Sequence, residues 1–130
     1  ITVPQLVGLE SYPHVHHLTS VVQGCLKSDK TWVDLLEASW PAGSISGAPK
    51  LRACKRLYEL EPTARGPYCG SLMHLDWNGT FDSNILIRSL IMKGKKLRAH
   101  AGCGIVADSN PVTESQELNW KLMPILEALK

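Results

Sequence analysis

The sequence predicts an α/β fold of the α+β type, mainly antiparallel sheet with helices packed on it. Two observations carry that expectation. β-branched and apolar runs are separated by tight-turn signals at Asn78-Gly79 and Lys93-Gly94-Lys95, which favour hairpins. Apolar residues also recur at helical spacing behind Pro111 and behind the glycine-rich loop 41–47. A chain of 130 residues is one domain at most, with room for a small core.

Taken in order, residues 1–9 read as a strand broken by Pro4, and Glu10 to Pro13 as a turn. Residues 14–24, rich in Val, Thr and Leu, read as a second strand. It carries His14, His16 and His17. Strand alternation turns His14 and His16 away from His17, and no cysteine is spaced to complete a site, so zinc is not expected. Trp32 to Ser39 is predicted as a short helix capped by Thr31, with Leu35 and Leu36 inward. The loop 41–47 feeds a helix from about Ser46 to Leu60, ended by Pro62. Its apolar face is Leu51, Cys54, Leu57 and Tyr58; Lys50, Arg52, Lys55 and Arg56 make it basic. GSISGAPK lacks the P-loop spacing, so nucleotide binding is not expected, although a helix N-terminus after such a loop can hold an anion.

Residues 68–76, 84–92 and 97–107 read as strands of a three-stranded antiparallel meander. The second is apolar on both faces, so Arg88 within it is expected to be at least partly buried and to need a carboxylate partner, Asp82 or a helix acid. The last helix starts at Pro111 with Asn110 as N-cap. Leu118, Leu122, Ile125, Leu126 and Leu129 form its buried stripe, and Pro124 should kink or end it near residues 120–123.

Net charge is only +2, too slight to argue for nucleic acid. Four scattered cysteines read as reduced thiols of a cytoplasmic protein. No apolar run reaches the roughly 18 residues that a membrane span needs. A start at Ile1, without Met, fits a processed chain or a piece of a longer one.

The stretch AGCGIVADSNPVTESQELNWK, residues 101–121, concentrates the chemistry. Gly102 and Gly104 allow close approach of a ligand or another backbone, and exposed N–H groups there can hold an anion. Glu114 sits at the edge of the helical stripe, with Glu117 and Lys121 further round the same flank. Two acids at that place are costly unless paired or metal-bound. On spacing alone, both features also have bland readings: a bulge, and a solvated helix flank.

AGCGIVADS followed by ESQE closely resembles the C-terminal signature of the chorismate-utilising enzymes. HHLTSVVQG (16–24), PAGSISGAPKLRA (41–53), RGPYCGS (65–71) and DSNILIRSL (82–90) resemble further blocks of that family, in the same order. The resemblance covers nearly the whole chain. It implies the C-terminal portion of a longer chorismate-binding domain, occupying residues 1–130, with Mg2+ as cofactor. In that family a nucleophile such as ammonia or water replaces the C4 hydroxyl of chorismate, or displaces it by attack at C2. By position, Glu117 matches a direct magnesium ligand and Glu114 a nearby acid. Arg88, Tyr68 and the backbone at Gly102 and Gly104 match the groups holding the enolpyruvyl carboxylate. His17 matches the histidine beside the ring, and Ser44, Gly47 and Ala48 match residues lining the site. Lys121 is carried over as substrate-binding.

The DSNI and CGS blocks look most like the aminodeoxychorismate synthase component I branch, with anthranilate synthase component I next. Either would draw ammonia from a glutamine amidotransferase partner. Met73 and His74, and Leu118, depart from common family residues without removing a charge or glycine from the site. A further magnesium-binding Glu and the reaction-selecting residue belong to family blocks absent from this sequence. The isolated chain is therefore expected to be inactive, and to self-associate through uncovered apolar surface.

Overall fold

Side-chain hydrogen bonds and a few sharp backbone departures decide where each strand and helix of this chain begins and ends. The computed structural model describes residues 1–13 and 15–130. They fall into two compact units, Ile1–Trp40 and Pro41–Lys130.

In the first unit, β1 (Thr2–Tyr12) and β2 (Val15–Gln23) pair as an antiparallel hairpin. β1 runs on through Pro4 and through Glu10 to Tyr12, where a break and a turn were expected. Pro4 is tolerated because the register shifts between Thr2 and Gln5, and again between Gln5 and Gly8, so the ladder passes over it. Side chains fill in: Val7 N–H donates to Ser20 Oγ at 3.0 Å, and Gln5 Nε2 to Thr19 Oγ1 at 3.0 Å. His14 lies outside the described residues. His16 is exposed and bonds Ser11 Oγ at 3.0 Å, while His17 is half-buried, as alternation requires. Helix α1 (Trp32–Ser39) opens with a reciprocal capping box between Thr31 and Asp34. Hydrogen bonds from Thr31 hold the Asp34 carboxyl below its ordinary value. Leu36 is half-buried, but Leu35, about 100° away round the helix, is exposed.

The second unit begins with a four-residue helix, α2 (Gly43–Ser46), followed by α3 (Lys50–Leu60). A single helix from Ser46 was expected. The chain breaks because Gly47 sits at φ 92°, ψ 173°, a region open essentially only to glycine. On α3, Leu57 is half-buried, whereas Leu51, Cys54 and Tyr58 are exposed, so the expected apolar face is largely uncovered.

Hairpin β3 (Ser71–Leu75) and β4 (Phe81–Ile85) closes over Asn78-Gly79, with Gly79 at φ 86°. Hairpin β5 (Leu90–Lys93) and β6 (Lys96–Ala99) closes with Gly94 at φ 60° as the first central turn residue. The expected meander is thus two separate two-stranded ladders. The interruption is local: Ile87 N–H folds back to Ile85 C=O at 3.0 Å, and Arg88 takes φ 51°. Arg88 is consequently exposed, not enclosed between two covered faces. Beyond Ala99, the predicted third strand continues without ladder bonds through the glycines.

Helix α4 (Pro111–Glu127) starts as expected: Asn110 Oδ1 accepts from Val112 N–H at 2.9 Å, and Pro111 follows. It passes through Pro124 and does not end there. Leu118, Leu122 and Ile125 are half-buried, while Leu126 and Leu129 are exposed. Among the described residues no apolar side chain is fully buried, and Ser46 is the single buried residue. None of the helices is long and apolar enough to cross a membrane.

Gly47 is where sequence acts most directly on this fold. A Cβ there would lie 2.9 Å from the Ala53 Cβ, on top of the backbone strain. Gly47→Ala should cost about 1–3 kcal/mol. In urea denaturation this appears as a lower midpoint at unchanged slope. An unchanged midpoint would mean that the break after α2 is not fixed by this residue.

Candidate active site

The site is built within the Pro41–Lys130 unit, from segments that the hairpins and α4 hold in place. Arg65 to Gly70 form a tight sequence of turns: Tyr68 N–H donates to Arg65 C=O at 3.2 Å, and Gly70 N–H to Pro67 C=O at 2.9 Å. Cys69, at φ 65°, bonds across to Leu86, which extends the β3–β4 pairing to the edge of the site. These turns, the Ile87–Arg88 departure, α2, the strand end at 100–104 and Lys121 of α4 enclose a cavity of about 170 Å³. Of the residues expected from sequence, Ser44, Tyr68, Arg88, Gly102, Gly104 and Lys121 line it together. Gly47 and Ala48 are not on its wall, because the chain turns away after α2. His17 belongs to the Ile1–Trp40 unit, where its ring meets Tyr12 edge-on at 6.1 Å.

The acids stand beside the cavity. Glu114, Glu117 and Cys103 bring one potential ligand atom each to within 4.8 Å of one another. Glu117 is paired with Lys121, Oε1 to Nζ at 2.5 Å. The same ammonium donates to the Gly102 carbonyl at 2.9 Å. Cys103 Sγ lies 3.3 Å from the Glu114 carbonyl, to which it donates, and burial pushes its thiol up. The oxygen donors of Glu114 and Glu117 suit a hard cation, whereas a protonated thiol does not.

Sequence reasoning missed Arg65, His100 and Glu61. Arg65 grips Glu61 with Nε at 2.8 Å and 3.0 Å and with Nη2 at 2.5 Å, and its Nη1 reaches the Ile45 carbonyl at 3.3 Å. That pair holds the Glu61 carboxyl below its ordinary value and keeps the guanidinium charged. Glu61 and Arg65 stand four apart across Pro62, beyond the end of α3, so helical spacing gave no signal for the pair. Tyr68 packs edge-on to His100, centroids 5.3 Å apart. Its hydroxyl oxygen lies only 2.7 Å from where a Cβ on Gly102 would stand. Here glycine is required by close approach, as the G-x-G pattern implied.

Two outcomes follow from Tyr68. Gly102→Ala should displace the ring and destabilise the chain by about 1–3 kcal/mol, with most of that loss absent in a Tyr68→Phe background. Additive losses in a double-mutant cycle would place the clash elsewhere. Burial, and then the neighbouring Cys69, push the Tyr68 phenol up to about 12. The unfolded phenol ionises at about 10. Stability from this group is therefore complete below about pH 10 and lost as pH rises toward 12. Tyr68→Phe should flatten the fall in denaturation midpoint over that interval; identical pH profiles would contradict it.

Comparison with known proteins agrees with this geometry. Residues 1–127 match the family of chorismate binding enzymes. The chain is 45% identical, over all of its 130 residues, to anthranilate synthase component 1 of Acetivibrio thermocellus, of which it covers 26%. It is 44% identical to anthranilate synthase component 1 of a Synechocystis species, covering 27% of that protein. The crystal structure of anthranilate synthase component I from Streptococcus pneumoniae superposes with a TM-score of 0.86 at 44% identity, over 92% of this chain and 28% of that one. The chain thus spans about a quarter of the length of these relatives. These relatives favour the anthranilate synthase reading over the aminodeoxychorismate synthase reading drawn from DSNI and CGS. With its ordered blocks, its antiparallel hairpins and its glycine-lined cavity, the chain belongs to the chorismate binding enzyme family.

Proposed function

We propose that the chain supplies the carboxylate-holding part of an active site that converts chorismate as anthranilate synthase component I does. In this reading ammonia is delivered by a glutamine amidotransferase partner. The observation that carries the proposal is the convergence of Arg88, Tyr68, Lys121 and the Gly102–Gly104 backbone on one cavity beside Glu114 and Glu117. Chorismate carries two carboxylates, and such a wall can hold one of them by a guanidinium, a phenol and main-chain N–H groups. Arg88 is exposed and lines the cavity, and its left-handed backbone sets it in a turn instead of a ladder.

Glu114 and Glu117 would hold magnesium, which when bound supplies Lewis-acid neutralisation of a substrate carboxylate. Lys121 pairs with Glu117, so the half-buried acid has a counter-charge. The four free cysteines fit a cytoplasmic setting for this chemistry.

The test uses the polypeptide that carries these residues, supplied with chorismate, magnesium and ammonium. Fluorescent anthranilate is the expected product; 4-amino-4-deoxychorismate would return the reading to the aminodeoxychorismate synthase branch. Arg88→Ala should weaken chorismate binding by roughly 2–4 kcal/mol, and Arg88→Lys should restore only part of it. Unchanged Michaelis constant and turnover would remove Arg88 from the site. Glu117→Gln should lower magnesium affinity more than Glu114→Gln. If both variants unfold while magnesium affinity is unaltered, these carboxylates are structural.

A further inference from the structure

Arg65 has a place in this cavity that the carboxylate-binding role does not explain. It is a cation on the cavity wall, yet it spends its donors inside the protein: on both oxygens of Glu61, at the C-terminal end of α3, and on the Ile45 carbonyl of α2. The guanidinium carbon also lies 5.9 Å from the centroid of the Tyr68 ring, within reach of a cation–π contact. Its own carbonyl also accepts from Tyr68 N–H at 3.2 Å. Arg65 therefore ties two helices to the residue that presents a phenol to the cavity. On its other sides that phenol ring is set by His100 and by the Gly102 backbone.

We propose that Arg65 is a positioning residue for Tyr68, held in its working orientation by Glu61, and that it is not itself a substrate ligand. This rests on the reading of the cavity as a chorismate site. The chemistry asks for a planar, permanently charged fork. A lysine could pair with Glu61 through its three N–H donors, but it has no planar fork to set against a ring while it does so. The carboxylate keeps the fork from swinging into the cavity, where it would compete with Arg88 for an anion. Glu61 therefore does more than offset charge: it selects the direction in which Arg65 points.

Two variants separate positioning from simple ion pairing. Arg65→Lys keeps the charge and loses the fork. The charge swap Glu61→Arg with Arg65→Glu restores an i, i+4 pair but places a carboxylate against the Ile45 carbonyl and the ring. On the polypeptide that carries these residues, with labelled tyrosine, the readouts are the nuclear Overhauser contact between the Tyr68 ring and Gly102, the Tyr68 phenol titration, and chorismate affinity. In Arg65→Lys the contact should weaken, the titration should fall from about 12 toward the ordinary value, and chorismate affinity should drop roughly tenfold. The swap should recover melting temperature without recovering the contact. If Arg65→Lys lowers melting temperature yet leaves the contact and titration intact, or if the swap restores all readouts, the pair is structural and the proposal is overturned. Should the swap fail to fold, Glu61→Gln decides in its place: loss of the contact supports the proposal and its retention refutes it. Failure of that polypeptide, unmodified, to bind chorismate, with Tyr68 responding as expected, supports the positioning role and refutes the chorismate reading.

Discussion

One ammonium group joins the two halves of the site. Lys121 reaches from α4 to the carboxylate of Glu117 on its own helix and to the carbonyl of Gly102 at the strand end. The strand end at 100–104 has no ladder partner, and this contact, the Cys103 thiol on the Glu114 carbonyl and the Tyr68 approach help to locate it. Two acids three residues apart at a half-buried flank would repel each other; a lysine one turn on removes most of that cost and turns the remainder into a tie. An i, i+4 pair with Glu on the N-terminal side is also the favourable orientation on a helix. The pair is about two-fifths exposed on the Glu117 side, so its worth lies in placement more than in stability.

The second set of constraints is steric. Gly47 and Gly102 each stand where a Cβ would collide, the first with Ala53 and the second with the Tyr68 hydroxyl. The first stops α2 before it can fuse with α3, which leaves Ser44 and the Ile45 carbonyl on the cavity wall. The second brings a main chain against a phenol. Of the non-glycine residues in the left-handed region, Cys69 and Arg88 flank the same cavity, while Val7 lies in β1. Strain gathered at one wall is a known mark of functional sites, because surrounding structure must over-determine it.

Much of this was legible in the residues. The Asn110–Pro111 start of α4, the Thr31 cap and both glycine turns follow from local chemistry, and local chemistry decided them. Ser44, Tyr68, Arg88, Gly102, Gly104 and Lys121, carried over by resemblance, do converge on one cavity. What was not legible depends on geometry that spacing does not encode. Nothing in ILIRSL announces that Ile87 will fold back on Ile85, and a run apolar on both faces pointed to burial of Arg88 that the turn prevents. The expected core was also too generous: Leu35, Leu51, Tyr58, Leu126 and Leu129 have the right period but remain exposed. Periodicity reports which face is apolar, not what covers it. Arg65 escaped notice because its block was read for Tyr68 alone. DSNI and CGS resemble one branch of the family, whereas relatives matched along the whole chain carry the name of the other.

The central claim is that a substrate carboxylate is held between Tyr68, Arg88 and the Gly102–Gly104 backbone. The most direct measurement is a crystal structure of the polypeptide carrying these residues, with chorismate and magnesium. The account predicts a carboxylate of the ligand bonded to the Arg88 guanidinium and to main-chain N–H groups at residues 102–104, with the metal on Glu114 and Glu117. Chorismate bound in another cavity, or bound here with Arg88 turned onto a protein carboxylate and no ligand contact to the glycine segment, would contradict it.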